Sequence, residues 1–477
     1  MNGPKICLIM LIFLTIVSSS SCSKSSSQTP SPTQIPSPTP PNIVFLFADD
    51  LGWGDLSCYG NGKITTSALD QLAKEGTLFT DFYVAGPACS PSRAAIMTGQ
   101  FPARNRIFGA ISDSERNAER GMPNSLDSSL IMLTDILKSV GYVTGHFGKW
   151  HLGHVSPEDY GLDVFRTTFI SNTSNSDPID ISSPEARPSC TRQILDEALT
   201  FIEVNRDQLF FTNIWLSDVH ATLNPSLEQL EYTNHLQSSK VDFYGAAQVY
   251  YAALLEMDRQ IGRFVDALDQ LGLRDSTLII FSSDNGPEDY QIREAAHSGV
   301  GSTGPFRGRK RSIYEGGIRV PFILRWPGNV PADKVNYTSV VNGVDFLPTL
   351  SKLAGAEVPN GLLLDGEDMS DVWLGSDRQR QRACFWEWRD RLWGHLYNHP
   401  PRLAVRDGDF KLLMNPDESR VELYDLYQDP GERDNIANEY PELVQSLKEL
   451  LLNWNAELPT SPVHPEAGTA IYPWPGL

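Results

Sequence analysis

Positively charged side chains are scarce in this chain of 477 residues, in which 39 Lys and Arg stand against 59 Asp and Glu. The formal net charge of −20 argues against a nucleic acid partner, because proteins that bind nucleic acids are usually basic. An anionic ligand would need a local cationic pocket set against this overall field. The candidate for such a pocket is the run Arg-Gly-Arg-Lys-Arg from Arg307 to Arg311.

Cysteine is also rare, with six residues in the chain. Three of them lie in segments that are interpreted separately below, which leaves Cys58, Cys190 and Cys384. Three cysteines allow one disulfide bond at most, even in an oxidising compartment. We therefore expect no disulfide-stabilised scaffold.

The apolar run at the N-terminus is too short to span a membrane stably. It extends from Ile6 to Val17, follows Lys5, and is succeeded by serines. This pattern predicts a signal peptide over residues 1–21 and an exported protein. The small residues run directly into Cys22, which resembles a bacterial lipoprotein site with a lipid on that cysteine. Ordinary secretory cleavage nearby is the alternative.

Residues 22–41 contain mainly Ser, Thr and Pro and offer almost nothing to bury. This composition predicts a disordered, extended tether between the lipid anchor and a folded body. The protein would then lie in the periplasm or at the cell surface, joined to the membrane only through the lipid. The remaining length can bury a large core, and we expect a large domain over residues 42–375 and a smaller C-terminal α+β subdomain over residues 376–477.

Four apolar runs end in polar clusters. The runs are Asn42–Ala48, Tyr142–Phe147, Phe210–Leu216 and Leu278–Phe281. A run that is apolar throughout predicts a strand covered on both faces. The polar residues that follow the four runs are Asp49 and Asp50, Lys149 and His151, Asp218 and His220, and Asp284 and Asn285.

Helical segments separate these runs, and the alternation predicts an α/β fold with a mostly parallel sheet. The segment from Val249 to Leu271 carries one apolar stripe, and Gly272 can end it. In open α/β sheets, ligands bind beyond the carboxyl ends of the strands. We therefore expect the four polar clusters to meet at one edge of the sheet.

The most informative segment is Cys-Ser-Pro-Ser-Arg-Ala-Ala-Ile-Met-Thr-Gly, from Cys89 to Gly99. Ser90 is suited to cap a helix and Pro91 to occupy its first position, so Cys89 would face the positive end of the helix. Arg93 adds a cation one turn further along. A buried cysteine at a helix start is the simpler interpretation of an isolated Cys-x-Pro. The whole run, however, resembles the signature of the type I sulfatases.

The resemblance extends from about Pro41 to about Leu458. It implies an alkaline-phosphatase-like sandwich, with a large mixed, mostly parallel central sheet flanked by helices and a smaller C-terminal antiparallel sheet with a closing helix. Residues 42–375 would form the catalytic domain. In that family a maturation enzyme oxidises the matching cysteine to formylglycine, an aldehyde whose hydrate is the nucleophile. The resemblance therefore implies a sulfuric ester hydrolase of the arylsulfatase type, with Cys89 as the precursor of its nucleophile.

Asp49, Asp50, Asp284 and Asn285 offer only oxygen ligands, which suit a hard cation such as Ca²⁺ or Mg²⁺. An Asp-Asp pair after one strand could be a helix cap or a solvated turn, but a second pair after a second strand favours a metal site. The resemblance makes these four residues, together with the modified Cys89, the ligands of one Ca²⁺. It also matches Asp284 to the general base that acts on the hydrate.

The segment Gly148–Gly153, Gly-Lys-Trp-His-Leu-Gly, looks like the second signature of the family. By that resemblance Lys149 would hold a sulfate oxygen or the hydrate. His151 would take a proton from the second hydroxyl of the hydrate, so that sulfate is expelled and the aldehyde forms again. Arg93 would act on the aldehyde more than on the substrate.

His220 and Lys310 match residues that bind sulfate and protonate the leaving group in the family. The match of His220 is looser, because Asp218 stands where relatives commonly have another histidine. Arg309 and Arg311 flank Lys310 where small residues are frequent, and they are either solvated charges or additional contacts for an anion.

The segment from Phe385 to His395 is aromatic and cationic together. Trp stacks on sugar rings, and Arg binds sulfate or carboxylate groups with two hydrogen bonds. We expect Arg389, Arg391, Trp393 and His395 to line the outer substrate pocket. The alternative is an interdomain strand whose tryptophans belong to the core.

Three classes of function remain open. The first is a sulfatase acting on a sulfated polysaccharide or oligosaccharide, either galactan- or carrageenan-like or glycosaminoglycan-like, because Gly301 to Trp326 looks most like the galactosamine-6-sulfatase and algal-galactan branches. The second is a phosphonate or phosphate ester hydrolase of the same superfold, which generally binds transition metals through several histidines. The third is a glycan-binding lipoprotein without activity, which would require Cys89 to remain unconverted.

Overall fold

Strands and helices alternate along the chain, as the apolar runs predict. The computed structural model describes residues 39–167, 183–236, 245–289 and 297–472. Its strands are β1 (Asn42–Ala48), β2 (Thr77–Phe79), β3 (Phe82–Tyr83), β4 (Val143–Gly148), β5 (Val164–Thr167), β6 (Phe210–Trp215), β7 (Thr277–Ser283), β8 (Phe322–Arg325), β9 (Lys334–Asn336), β10 (Val341–Asn342), β11 (Cys384–Glu387), β12 (Leu403–Asp407), β13 (Phe410–Met414) and β14 (Glu422–Asp425). Its helices are α1 (Ser67–Lys74), α2 (Cys89–Thr98), α3 (Ser114–Glu119), α4 (Leu133–Ser139), α5 (Cys190–Asn205), α6 (Leu227–Glu231), α7 (Ala246–Gln270), α8 (Glu315–Ile318), α9 (Phe346–Leu353), α10 (Ser370–Trp373) and α11 (Pro441–Ala456).

The predicted signal peptide over residues 1–21, the lipid site at Cys22 and most of the tether lie outside the described residues. Across the part of the chain that the structure describes, no helix has both the length and the apolar character needed to cross a membrane. Packed structure begins at Pro41, whose carbonyl accepts a hydrogen bond from the hydroxyl of Tyr142 (2.7 Å).

Within the described residues, eight strands form the central sheet in the order β5-β4-β6-β1-β7-β8-β2-β9. The four predicted strands, β4, β6, β1 and β7, lie side by side and are parallel. β8 runs antiparallel to both of its neighbours, β7 and β2, so the sheet is mixed. The predicted mixed, mostly parallel sheet is confirmed.

Alternate residues of β1 belong to different cores, one on each face of the sheet. Phe45 and Phe47 pack in the core that contains α2, α4 and α9, whereas Val44 and Leu46 pack in the core that contains α1, α5 and α7. All four side chains are fully buried, because successive side chains of a strand point to opposite faces. The apolar stripe predicted between Val249 and Leu271 lies on α7 and faces the second core.

The C-terminal part forms a four-stranded antiparallel sheet in the order β11-β12-β13-β14, and α11 packs against β12 and β13. β12 and β13 form a hairpin whose turn contains Gly408 with φ 58°, a conformation that glycine adopts without steric cost. The predicted small antiparallel sheet with a closing helix is therefore confirmed.

A buried cluster of ion pairs joins this small sheet to the rest of the molecule. The Nζ atom of Lys411 on β13 lies 2.9 Å from Oε1 of Glu315 and 2.9 Å from Oε1 of Glu432, and all three side chains are inaccessible to solvent. The indole N–H of Trp386 on β11 donates to the carbonyl of Val84 (2.8 Å). The domain boundary expected at residue 376 stays a prediction.

Replacing Lys411 by Met should lower the free energy of unfolding by about 3–5 kcal/mol, because two buried carboxylates would lose their counter-charge. Lys448→Met is the matched control. Lys448 pairs with Glu418 (2.9 Å) near the surface, so its loss should cost less than about 1 kcal/mol. Urea denaturation measures both changes, and equal losses would contradict this view of the interface.

Candidate active site

The four polar clusters meet beyond the carboxyl ends of β4, β6, β1 and β7. Oδ2 of Asp49, after β1, lies 2.5 Å from Nζ of Lys149, after β4. Asp284, after β7, accepts a hydrogen bond from the backbone N–H of Asp50 (3.1 Å). His220, after β6, has its Nε2 atom 3.8 Å from Oδ2 of Asp50. The parallel strands therefore bring the clusters to one edge of the sheet, where the sequence predicts them.

Cys89 is buried and is the first residue of α2. Pro91 is therefore the third helical residue, and the prediction that it is the first is wrong. The thiol of Cys89 donates to Oδ1 of Asp49 (3.5 Å) and accepts a hydrogen bond from Nζ of Lys149 (3.4 Å). Burial and the negative charges of Asp284 and Asp49 raise the pKa of the thiol to about 12. These neighbours hold Cys89 as a neutral thiol.

Ser90 does not cap α2, so that prediction is wrong. The helix begins one residue earlier, and Ala88 occupies the cap position with an extended backbone. The Ser90 hydroxyl donates to the carbonyl of His151 (2.7 Å) and accepts a hydrogen bond from the N–H of Ile111 (3.0 Å). Tertiary contacts engage the hydroxyl, and it joins two loops to the helix start.

Arg93 is fully buried and binds the ends of three strands. Its Nη2 atom lies 2.7 Å from Oδ2 of Asp284 and 3.2 Å from Oδ2 of Asp49, while Nη1 donates to the carbonyl of Lys149 (3.1 Å). The ring of Trp215 lies 4.9 Å from the guanidinium carbon. Burial opposes the charge, but the two carboxylates keep the pKa of Arg93 above its ordinary value. The structure thus gives Arg93 carboxylates as partners.

Lys310 lies against Asp50, with Nζ 2.6 Å from Oδ1 and 2.8 Å from Oδ2. Glu288, whose Oε2 is 3.9 Å from the same Nζ, binds Arg311 through both oxygens (2.5 and 2.9 Å) and accepts a hydrogen bond from Arg309 at its carbonyl (2.8 Å). Neither flanking arginine is a solvated charge. Sequence reasoning missed Glu288, because no motif marks it.

The carboxylates of the site influence one another. Burial raises the pKa of Asp50, and the charge of Asp49 adds to this effect while Lys310 opposes it. Burial and the charge of Asp49 likewise raise the pKa of Asp284. Burial also opposes the charge of Asp49, but Lys149 and other cations hold the pKa of Asp49 well below its usual range. A positive ion among these residues would favour the charged form of all three.

The residues present fit a bound cation. Within the described residues, Asp49, Asp50, Cys89 and His220 each offer one ligand atom, and these atoms lie within 4.8 Å of one another. Nδ2 of Asn285 donates to Oδ1 of Asp50 (2.7 Å), whereas its Oδ1 is buried and accepts no hydrogen bond. A buried acceptor without a partner costs about 1–3 kcal/mol, which a cation would offset. The structure also brings His220 into a group that the sequence predicts to be free of histidine.

His151 has φ 56° and Asp50 has φ 61°, a backbone region that few residues other than glycine adopt. Nε2 of His151 lies 3.1 Å from the carbonyl of Ile111 and therefore carries the hydrogen, which leaves the buried, unpartnered Nδ1 as an acceptor. Burial, reinforced by the charge of Lys149, lowers the pKa of His151 well below its ordinary value. The surrounding structure must hold the strained backbone of His151 and its neutral imidazole in position.

A buried ion pair holds the loop that carries His220. Nη2 of Arg187 lies 3.2 Å from Oδ1 of Asp218 and donates to the carbonyl of His220 (2.6 Å). The hydroxyl of Thr191 donates to the other oxygen of Asp218 (2.5 Å). Sequence reasoning missed Arg187, which lies in no motif and 33 residues before His220. Asp218 thus has a partner that accounts for a carboxylate at this position.

Three of the four residues predicted to bind substrate, Arg389, Arg391 and Trp393, line a cavity of about 600 Å³. Trp393 is half exposed, and the guanidinium of Arg391 lies 4.1 Å from its ring centroid. Arg389 is buried and pairs with Glu387 (2.6 Å). His395 does not line this cavity, and its Nδ1 accepts a local backbone hydrogen bond (3.1 Å).

Comparison with known proteins identifies the family. A family model described as Sulfatase matches residues 41–356, more than half of the chain. The chain belongs to the sulfatase family. A second model, described as N-sulphoglucosamine sulphohydrolase, C-terminal, matches residues 304–457 of this sulfatase. The family and the class of sulfuric ester hydrolase predicted from the sequence are confirmed.

This sulfatase is 33% identical to arylsulfatase A of Homo sapiens over 466 residues, which cover 87% of each protein. It is 29% identical to the N-acetylgalactosamine-6-O-sulfatase of Bacteroides thetaiotaomicron, over 86% of this chain and 92% of the relative. Among solved structures, Ps i-CgsB in complex with k-i-k-neocarrahexaose aligns with a TM-score of 0.73 and 25% identity, over 91% of this chain and 97% of the other.

Replacing Arg187 by Met should lower kcat for an aryl sulfate by about 10- to 100-fold, because a shift of about 1 Å in a reacting group costs that much. The loop of His220 would lose its anchor. Arg259→Met is the control, since Arg259 is exposed and pairs with Glu256 (2.9 Å) outside the site. Steady-state kinetics and the Tm of each variant separate a local effect from unfolding, and wild-type kcat in Arg187→Met would refute the anchoring role.

Proposed function

We propose that this sulfatase removes O-sulfate groups from a sulfated polysaccharide or oligosaccharide that is galactan- or carrageenan-like or glycosaminoglycan-like. The observation that carries the proposal is the convergence of Cys89, two lysines and the paired carboxylates at one edge of the sheet. An N-acetylgalactosamine-6-O-sulfatase among the relatives, and a structural neighbour bound to k-i-k-neocarrahexaose, support a glycan substrate.

The local positive charge that a sulfate needs comes from Lys149 and Lys310 and not from the whole run that begins at Arg307. Both lysines lie among the carboxylates at the strand ends. Arg307 has another role, because its guanidinium stacks on Tyr314 (3.8 Å) and donates to the carbonyl of Glu432 (3.2 Å). Two ammonium groups at the site would attract a sulfate ester despite the acidic surface.

In this proposal the residues act in successive steps of one reaction. Formylglycine at position 89 would supply a hydrated aldehyde as the nucleophile. Lys149, 3.4 Å from Sγ of Cys89, would hold a sulfate oxygen or the hydrate, and His151 would accept a proton at Nδ1 as sulfate leaves. His220 and Lys310 would bind the sulfate and protonate the departing sugar oxygen.

Ca²⁺ is the cation that we propose for the site, held by Asp49, Asp50, Asp284, Asn285 and residue 89. The ligands are mainly oxygen atoms, and the unpartnered Oδ1 of Asn285 supports a hard cation at this position. Bound Ca²⁺ would supply positive charge that orients the sulfate and stabilises charge during transfer. Arg93 would keep Asp49 and Asp284 charged and in position.

Maturation and export complete the proposal. A formylglycine-generating enzyme would convert Cys89. Residues 1–21 would direct export, a lipid on Cys22 would anchor the protein, and residues 22–41 would tether it in the periplasm or at the cell surface. Residues 42–375 would form the catalytic domain and residues 376–477 the C-terminal subdomain. Arg389, Arg391 and Trp393, which line the cavity of about 600 Å³, would contact the glycan beyond the sulfate. A phosphonate or phosphate ester hydrolase is not favoured, because the relatives named above are sulfatases.

Mass spectrometry of the peptide that contains Cys89, taken from active protein, should show the aldehyde or its hydrate. Cys89→Ala should lower kcat on aryl sulfate by at least about a thousandfold, since no other residue supplies the nucleophile. Cys58→Ala is the control, because Cys58 lies outside the site, where its backbone N–H donates to the carboxylate of Asp70. Fully active protein with an unmodified Cys89 would refute the mechanism.

Removing Ca²⁺ with a chelator should abolish activity, and added Ca²⁺ should restore it. Asn285→Ala should weaken Ca²⁺ binding by at least about tenfold in isothermal titration calorimetry, because one ligand is lost. The exposed Asn438 supplies the control variant, Asn438→Ala, which should bind as the starting protein does. Unchanged affinity in Asn285→Ala would exclude Asn285 from the metal site.

A further inference from the structure

The cavity of about 600 Å³ has two walls from distant parts of the chain. One wall contains residues between Phe108 and Met122, including part of α3. The other contains residues from Arg389 to Trp393 together with Pro462 to Pro465. In the second wall, Arg389, Arg391 and Trp393 were expected from the sequence to meet a ligand. The first wall contributes Arg116 and Arg120, which no motif marks.

One wall of the cavity is joined through a short stretch of chain to residues of the candidate site. Gly109 lines it, and Ile111 follows two residues later. Both backbone groups of Ile111 bond to the site: its N–H donates to the hydroxyl of Ser90 (3.0 Å), and its carbonyl lies 3.1 Å from Nε2 of His151. Two residues span at most about 7 Å of chain. A glycan whose sulfate lies at Cys89 would therefore reach this cavity with the neighbouring saccharide unit.

The wall that contains α3 carries two arginines, Arg116 and Arg120. Burial lowers the pKa of Arg120, and the positive charges of Arg116 and Arg311 lower it further, while Asp390 opposes them. An anion bound at Arg120 would offset the repulsion from these positive charges.

Arg120 is the cation of this wall that water and salt screen least. Asp113, Glu115, Arg116 and Glu119 are all exposed, whereas Arg120 is partly buried. Asp390 contacts Nη2 of Arg120 (2.5 Å), and the guanidinium also donates a long hydrogen bond to the carbonyl of Ala110 (3.4 Å). A guanidinium has five N–H donors, so Arg120 keeps the capacity to bind a second oxyanion.

We propose that this cavity binds the saccharide unit next to the one that carries the scissile sulfate, and that Arg120 selects an anionic substituent, a sulfate or a carboxylate, on that neighbouring unit. The half-exposed ring of Trp393 offers a face on which the sugar can stack. The proposal rests on the proposed function and deepens it. The preferred glycan is one that carries negative charge on adjacent units.

The test compares three oligosaccharides that share the scissile sulfate and differ in the neighbouring unit, which is neutral, sulfated or carboxylated. The wild-type protein should show a higher kcat/KM for a charged neighbour. Arg120→Ala should lower the ratio of charged to neutral kcat/KM by about tenfold or more, because a charge-assisted hydrogen bond to the oxyanion is lost. Arg120→Gln, which retains donors but no charge, tests the same ratio in a protein with a polar side chain at this position.

Arg263→Ala is the matched control. Arg263 on α7 also pairs with an aspartate at 2.5 Å, Asp196, but does not line the cavity, so its removal should leave the ratio unchanged. An advantage for only one of the two oxyanions supports the proposal and identifies the substituent. Equal kcat/KM for all three substrates in the wild type, or an unchanged ratio in both Arg120 variants, would overturn it. Failure of the proposed function differs, because no sulfate would then be released from any of the three.

Discussion

The buried guanidinium of Arg93 is the interaction on which the candidate site depends. It lies between Asp49 and Asp284, and it also binds the carbonyl of Lys149. Uncompensated, a buried charge costs several kcal/mol, and two carboxylates at neighbouring strand ends would also repel each other. One cation with planar, divergent donors reduces both costs and holds the ends of β1, β4 and β7 at set distances.

The same rule of compensated buried charge recurs through this acidic sulfatase. Lys310 lies against Asp50, and Lys411 lies between Glu315 and Glu432 at the base of the small sheet. The chain has few Lys and Arg residues, and several of them pair with buried carboxylates. Positive charge for a sulfated glycan is therefore restricted to a few places: the lysines beside Cys89 and, as we propose, Arg120 in the cavity.

Local patterns predicted the elements that depend on local physics. The run from Asn42 to Ala48, apolar after its first residue, favoured a strand covered on both faces, and the stripe between Val249 and Leu271 favoured a helix packed on a core. The cap assigned to Ser90 was wrong for the opposite reason. Its hydroxyl bonds to two loops, at Ile111 and His151, and not to the helix start. These loops are distant from Ser90 in sequence.

By itself the sequence determined which polar side chains follow which strands. It therefore also determined that Asp49, Lys149, His220 and Asp284 would meet at one edge of the sheet. Parallel strands enforce that outcome because their carboxyl ends lie at the same edge of the sheet. Only the tertiary structure decided which groups support them. Arg187, Glu288 and Arg120 acquire their roles from partners that the fold brings close, and no local pattern encodes a contact whose two members are separated by tens or hundreds of residues.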